Sequence, residues 1–147
     1  MHLTCSFYPS RWPLYAIALF LLLTGTSSAG KTDSSPIGLW KTIDDHSGKA
    51  KSHVLITQQA NGLMGKIIKI LPPEEPNPLC EKCPGDRKNQ PVLGMTILQQ
   101  LTQEKDGWGG GRILDPENGK EYSVTLHLLQ AGQKLKVRGY IGISLLG

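Results

Sequence analysis

Two cysteines three positions apart, Cys80 and Cys83, form the sharpest chemical motif of the chain. A thiolate stabilised by Lys82 or Arg87 would be able to attack disulfides, which is the redox interpretation. Redox dithiols with this spacing normally begin a helix in a βαβ unit, and this proline-rich segment has neither feature. The pattern therefore favours a local disulfide that stiffens a loop, with redox chemistry as the alternative.

A zinc site is the third interpretation of Cys80 and Cys83. A closed zinc site needs four ligands, and His46, His53 and His127 are the candidates to complete it. These histidines have no recognisable ligand spacing relative to the cysteines or to one another. We therefore predict no metal site and no cofactor.

Other polar residues lack the context of a catalytic or calcium site. Asp115, Glu117 and Glu121 do not form the alternating acids of a calcium loop. Ser123 and Ser144 lie in no nucleophile elbow. We expect the protein not to be an enzyme, with thiol-redox chemistry at the cysteine pair as the weakest alternative.

The segments that would position these residues are predicted to be β-strands. The segment 115–120, Asp-Pro-Glu-Asn-Gly-Lys, carries residue types that reverse the backbone, and alternating segments flank it, which predicts a β-hairpin. Similar segments occur along the chain without a long amphipathic helix. The prediction is an all-β antiparallel meander of about eight strands, closed into a barrel because closure removes exposed edges.

A proline-rich segment interrupts the meander at residues 72–91. It contains six prolines and both cysteines, and proline lacks the amide hydrogen that a sheet ladder needs. This predicts a long loop of the kind that often forms a lid or a binding surface.

The first 29 residues have the features of a signal peptide. Arg11 precedes the uncharged run Leu14–Leu23, which is too short to span a bilayer, and Ser27 and Ala29 supply small residues for cleavage. We predict cleavage after Ala29, a flexible lead-in at residues 30–35 and one barrel domain at residues 36–147. The mature protein would be periplasmic or secreted, with no stable membrane span, in a compartment that permits disulfides.

The charge distribution argues against nucleic acid as a partner. The chain carries 16 basic and 12 acidic residues, a net charge of +4. The signs alternate along the chain, whereas a nucleic-acid-binding surface requires clustered basic residues.

A series of short motifs resembles one known family. The motifs are Gly38-Leu39-Trp40, Gly62 to Ile67, Cys80 to Gly85, Trp108 to Ile113, Asp115 to Lys120 and Val137 to Gly142. Their order is similar to that of domain of unknown function family 2147, a group of exported bacterial proteins. The resemblance spans about residues 36–147 and implies a lipocalin-like β-barrel without an established activity. Members of this family usually continue beyond the position of Gly147, so the expectation is either a short last strand or a truncated sequence.

The aromatic residues suggest how such a barrel is closed and filled. Gly38-Leu39-Trp40 is similar to the Gly-x-Trp signature of lipocalins, where an arginine from a late strand covers the tryptophan at one barrel end. Arg138 is the predicted partner of Trp40 through a cation–π contact, and Arg112 is the competing candidate. Trp108 and Tyr140 are candidates for lining a ligand pocket, with core packing as the equal alternative.

These observations predict an exported β-barrel that binds a small, largely apolar ligand, with the cysteine-containing loop near its mouth. The alternative is a structural or interaction protein that presents the Cys80–Cys83 loop to a partner in the bacterial envelope.

Overall fold

A computed structural model describes residues 2–6, 35–72 and 77–141 of the chain. Each strand pairs in antiparallel fashion with its neighbours, and the first strand also pairs with the last, which closes the barrel. The strands are β1 His2–Ser6, β2 Gly38–Asp44, β3 Ala50–Gln59, β4 Gly62–Ile70, β5 Thr96–Glu104, β6 Gly107–Asp115, β7 Lys120–Leu129 and β8 Lys134–Tyr140. The predicted closed all-β meander of about eight strands is confirmed.

Side chains alternate between the interior and the outer surface of the barrel. On β3, Ser52, Val54 and Ile56 are buried, whereas Leu55 between them is exposed. This period of two is what a strand with one face on the core requires. The interior is filled by large apolar side chains from several strands, among them Trp40, Ile56, Leu63, Leu101, Val124, Leu126, Leu135 and Val137.

The hairpin between β6 and β7 forms as predicted. Asp115 organises it: its Oδ1 accepts a hydrogen bond from the Glu117 backbone N–H at 3.0 Å, and its Oδ2 accepts one from Asn118 Nδ2 at 2.7 Å. Gly119 follows with φ +71°, a conformation that glycine adopts without strain. The polar residues of the turn therefore stabilise its conformation through hydrogen bonds within the hairpin.

The loop between β4 and β5 extends beyond the predicted segment 72–91. Strand β5 begins only at Thr96, because Gly94 has φ +87° and the Val92 N–H donates to the Pro78 carbonyl within the loop. The described part of the loop includes a 3₁₀ turn, Gly85–Arg87.

The N-terminal strand lies within the predicted signal peptide. β1 pairs with β2 on one side and β8 on the other. The apolar run Leu14–Leu23, the cleavage position after Ala29 and the lead-in up to residue 34 lie outside the described residues, as does Gly147. Cleavage after Ala29 would remove β1. The edges of β2 and β8 that pair with β1 would then lack this partner strand. Among the described residues, no helix is long and apolar enough to span a membrane.

One histidine on the strands predicts a pH dependence of stability. Burial lowers the pKa of His53, and its cross-strand neighbours Lys69 and Lys41 lower it further. The folded state therefore favours neutral His53, so its contribution to stability is present above the unfolded pKa of about 6.5 and is lost as the pH falls through the lower folded pKa.

We expect the melting temperature to fall between pH 7 and pH 5 by more in the wild type than in His53→Gln. Thermal denaturation at matched ionic strength measures the difference. High salt should reduce this difference between the two proteins, since salt screens the charges of Lys41 and Lys69. Identical slopes for the two proteins would contradict the assigned role of His53.

Candidate functional site

Within the described part of the barrel, a large cavity opens at the end where β2, β4, β6 and β8 finish. Its volume is about 210 Å³, larger than the roughly 150 Å³ apolar cavity known to bind benzene in another protein. The lining is mainly aliphatic and comes from every strand from β2 to β8 and from the long loop. The apolar lining residues are Ile67, Ile70, Pro78, Leu79, Val92, Ile97, Ile113, Leu114, Pro116, Tyr122 and Val137.

A segment that we call the cysteine loop, residues 77–95, forms part of the cavity wall at the mouth. Pro78, Leu79 and Val92 contribute its lining side chains. The two arms of the loop are joined by backbone hydrogen bonds, from Cys80 N to the Gln90 carbonyl at 2.9 Å and from Val92 N to the Pro78 carbonyl at 2.8 Å. This pairing gives the loop a defined conformation although it belongs to no sheet.

Cys80 and Cys83 form a disulfide at the tip of the cysteine loop. Their exposed fractions are 0% and 3%, so neither sulfur is accessible to a protein substrate in this conformation. Redox chemistry requires an exposed and reactive sulfur. The geometry therefore favours the structural interpretation of the pair over the redox one.

The cysteine loop packs directly on the β6–β7 hairpin. Cys80 Sγ contacts the Pro116 carbonyl oxygen at 3.3 Å, and Arg87 Nη2 lies 2.7 Å from Glu121 Oε1 at the start of β7. A Cβ on Gly119 would overlap the Lys82 carbonyl. These contacts place the loop against one side of the mouth without any contribution from β1.

Removing the disulfide should cost stability without removing the fold. For the double variant Cys80→Ser with Cys83→Ser, we expect the free energy of unfolding to fall by about 2 kcal/mol, because the clip closes a short loop in the unfolded chain. Urea denaturation measures this change. A double variant as stable as the wild type would show that the disulfide does not constrain the unfolded state.

Charged side chains surround the mouth. Lys51 Nζ lies 3.7 Å from Asp44 Oδ2 and also forms an ion pair with Glu117 Oε1. Asp44 Oδ1 accepts hydrogen bonds at 2.7 Å from the hydroxyl and the backbone N–H of Ser47. These two hydrogen bonds, with smaller contributions from Lys51 and His46, lower the pKa of Asp44 although desolvation opposes them. Asp44 is therefore a carboxylate at neutral pH.

A pair of hydroxyl groups interrupts the aliphatic wall deeper in the cavity. Thr42 on β2 and Ser52 on β3 are each 8% exposed and both line the cavity. Their hydroxyl oxygens lie 2.8 Å apart, and the Ser52 backbone N–H donates to Thr42 Oγ1 at 3.0 Å. Below the charged mouth, Thr42 and Ser52 thus add a polar position to the mainly aliphatic lining.

The structure does not bring Trp40 and Arg138 together. Trp40 is buried at the opposite end of the barrel, where its Nε1–H donates to the Pro36 carbonyl at 2.7 Å. Ser6 pairs with Lys41 and Lys134, so Trp40 is level with the start of β8 and Arg138 lies about 13 Å further along that strand. Arg138 is also exposed on the outer surface. The competing candidate Arg112 is exposed and lies 3.9 Å from Glu121.

The two aromatic residues predicted for the pocket are not among the described lining residues. Trp108 is partly buried against the core near the end of the barrel opposite the mouth, and Tyr140 lies at the end of β8. The aromatic side chain that does line the cavity is Tyr122. The signal for Tyr122 is in the sequence, because it shares the inward-facing alternation of Val124 and Leu126 on β7.

The three histidines considered as metal ligands lie at separate places. His46 is in the β2–β3 turn, His53 is on β3, and His127 Nδ1 is 2.7 Å from the Asp106 carbonyl at the end opposite the mouth. Within the described parts of the chain, no group of three or more His, Cys, Asp or Glu side chains is arranged to hold a metal ion.

Comparisons with known proteins identify a family and a fold. A family model described as "Uncharacterized protein conserved in bacteria (DUF2147)" matches residues 38–147. No curated protein sequence matches the chain significantly. A similar solved structure is that of protein HP1028 from Helicobacter pylori, described as belonging to the lipocalin family. It shares 15% sequence identity with a TM-score of 0.56, over 71% of this chain and 82% of that one. At this identity the similarity shows the fold alone, a lipocalin-like barrel.

Proposed function

The chain belongs to the DUF2147 family of bacterial proteins, and we propose that it binds a small, largely apolar molecule inside its barrel. The cavity of about 210 Å³ is the observation that carries the proposal. Its aliphatic wall would desolvate an apolar ligand, and each buried methylene group contributes about 0.8 kcal/mol. Apolar walls with a few polar groups are typical of small-molecule sites.

The proposed setting is the periplasm or the exterior of a bacterial cell. The amino-terminal signal pattern supports export, and the Cys80–Cys83 disulfide agrees with an oxidising compartment. In that setting the disulfide keeps the cysteine loop in place as part of the cavity wall. The proposal assigns no catalytic role to any residue.

Mass spectrometry tests both the binding of a ligand and the cleavage of the signal peptide. The protein would be purified without detergent from cells that express the full coding sequence. We expect the native mass to exceed the denatured mass by that of a small organic molecule, which solvent extraction would identify. We also expect the denatured mass to match a chain that begins at Gly30. A ligand-free native mass, together with no binding of added apolar probes, would contradict the binding function. A retained Met1 would contradict cleavage.

An interaction protein of the bacterial envelope is the second candidate. Leu79 and Leu93 on the cysteine loop are 49% and 42% exposed, so the loop offers apolar surface that a partner would cover. If the loop recognises a partner, Leu93→Ser should abolish co-purification with that partner and leave ligand binding intact. Since Leu93 does not line the cavity, this variant separates the two functions.

A further inference from the structure

We propose that the cavity selects amphiphiles with a positively charged, hydrogen-bond-donating head, of which a primary alkylammonium ion is the simplest example. This inference rests on the proposed binding function and specifies which end of the ligand faces the mouth. It follows from the hydrogen-bonding capacity of Ser52 and from the charge of the rim.

The hydroxyl pair leaves a hydrogen-bond acceptor on Ser52, a residue of the cavity lining. Thr42 Oγ1 lies 3.3 Å from the Ser52 carbonyl, 2.8 Å from Ser52 Oγ and 3.0 Å from the Ser52 backbone nitrogen. One arrangement of hydrogens satisfies all three contacts: Thr42 donates to the carbonyl, and Ser52 donates its hydroxyl hydrogen to Thr42. Ser52 Oγ then has no hydrogen to offer and keeps its lone pairs. More than nine-tenths buried, it would take a donor from the ligand.

The rim adds negative charge to the same side of the cavity. Among the described lining residues, three are carboxylates, Asp44, Asp115 and Glu117, and one, Lys51, is a cation. Lys51 is already paired with Asp44 and Glu117. An ammonium head would therefore meet an excess of negative charge, whereas a carboxylate head would meet repulsion and acceptors that cannot bond to it.

Because of Tyr122, we expect ligands with an uncharged hydroxyl head to bind with an affinity between those of the ammonium and carboxylate heads. Its hydroxyl accepts a hydrogen bond from Asn118 Nδ2 at 3.0 Å and keeps its own hydrogen for a ligand. A hydroxyl head can accept that hydrogen and also donate to Ser52 Oγ, whereas a carboxylate head can only accept it and is still repelled by the rim. The expected order of affinity is therefore ammonium, then alcohol, then carboxylate.

Isothermal titration with octylamine, octanol and octanoate at pH 7 and low salt tests this order. The three share one tail, so their differences report the head. We expect octylamine to bind about tenfold tighter than octanol, as charge-assisted hydrogen bonds are the stronger class, and octanoate to bind weakest. Added salt should narrow the gap between octylamine and octanoate.

Variants separate the two sources of selectivity. Ser52→Ala should weaken octylamine about fivefold, the loss of one hydrogen bond. Glu117→Gln should weaken octylamine about threefold and leave octanol unchanged, as expected for an exposed charge. Glu104→Gln is the matched control, because Glu104 ends β5 at the opposite end of the barrel. It should change none of the three affinities.

The outcomes distinguish failure of this inference from failure of the proposed function. Equal affinities for all three heads, or tightest binding of octanoate, would overturn the selectivity and leave the binding function standing. No binding of any of the three, with the protein folded by circular dichroism, would contradict both.

Discussion

Gly119→Ala is expected to lower the free energy of unfolding by about 3 kcal/mol. Two costs combine at this position. Gly119 has φ +71°, where a side chain costs roughly 1–2 kcal/mol. The new Cβ would also overlap the Lys82 carbonyl and lie 2.8 Å from the Cys83 nitrogen, and such overpacking costs about 1–3 kcal/mol. Urea denaturation measures the change.

Gly132→Ala is the matched control for this experiment. Gly132 also has a positive φ, +86°, but no atom lies within 4 Å of the position of its Cβ. It should therefore show only the conformational cost, roughly 1–2 kcal/mol. The excess destabilisation of Gly119→Ala reports the contact between the hairpin and the cysteine loop. Equal effects of the two substitutions would mean that the loop does not pack on the hairpin in solution.

That contact illustrates what the sequence could and could not predict. The hairpin follows from local residue types, because Asn118 and Gly119 suit its turn wherever the hairpin lies in the fold. Its packing against Lys82 depends on bringing together segments that are more than thirty residues apart. No local pattern encodes that approach, so the sequence placed the cysteine loop near the mouth without showing what holds it there.

The same difference between local pattern and long-range packing decides which positions of the aromatic residues could be predicted. The alternation of β7 was sufficient to place Tyr122 inside, but residue type alone drew attention to Trp108 and Tyr140. The proposed contact of Trp40 with Arg138 required the register between the first and last strands of a closed barrel. One residue of register shift reverses the face of a side chain, and the observed register places Arg138 outside.

The N-terminal strand shows a further limit. The apolar run Leu14–Leu23 dominates the pattern of the first residues, and no comparable signal marks His2–Ser6 as a strand. Its pairing becomes visible only once β2 and β8 are positioned on either side of it. Strand order at a barrel seam is a property of the closed fold.

Val137→Phe is expected to reduce the affinity for octylamine and octanol at least about a hundredfold. Val137 is 4% exposed and lines the cavity from β8, so a larger side chain would occupy the space that the ligand tail needs. Loss of the buried contacts of about four methylene groups corresponds to that change in affinity. Isothermal titration measures it, and thermal denaturation shows whether the fold is intact.

Ile97→Phe provides an independent obstruction of the cavity from β5. Because both substitutions extend a side chain into the cavity and not into the packed core, we expect neither to lower stability by more than about 1 kcal/mol. A folded Val137→Phe or Ile97→Phe protein that retains wild-type affinity would place the ligand outside the barrel. Loss of binding in both, with the melting temperature preserved, would locate it in the cavity, because the two side chains share that space and lie on different strands.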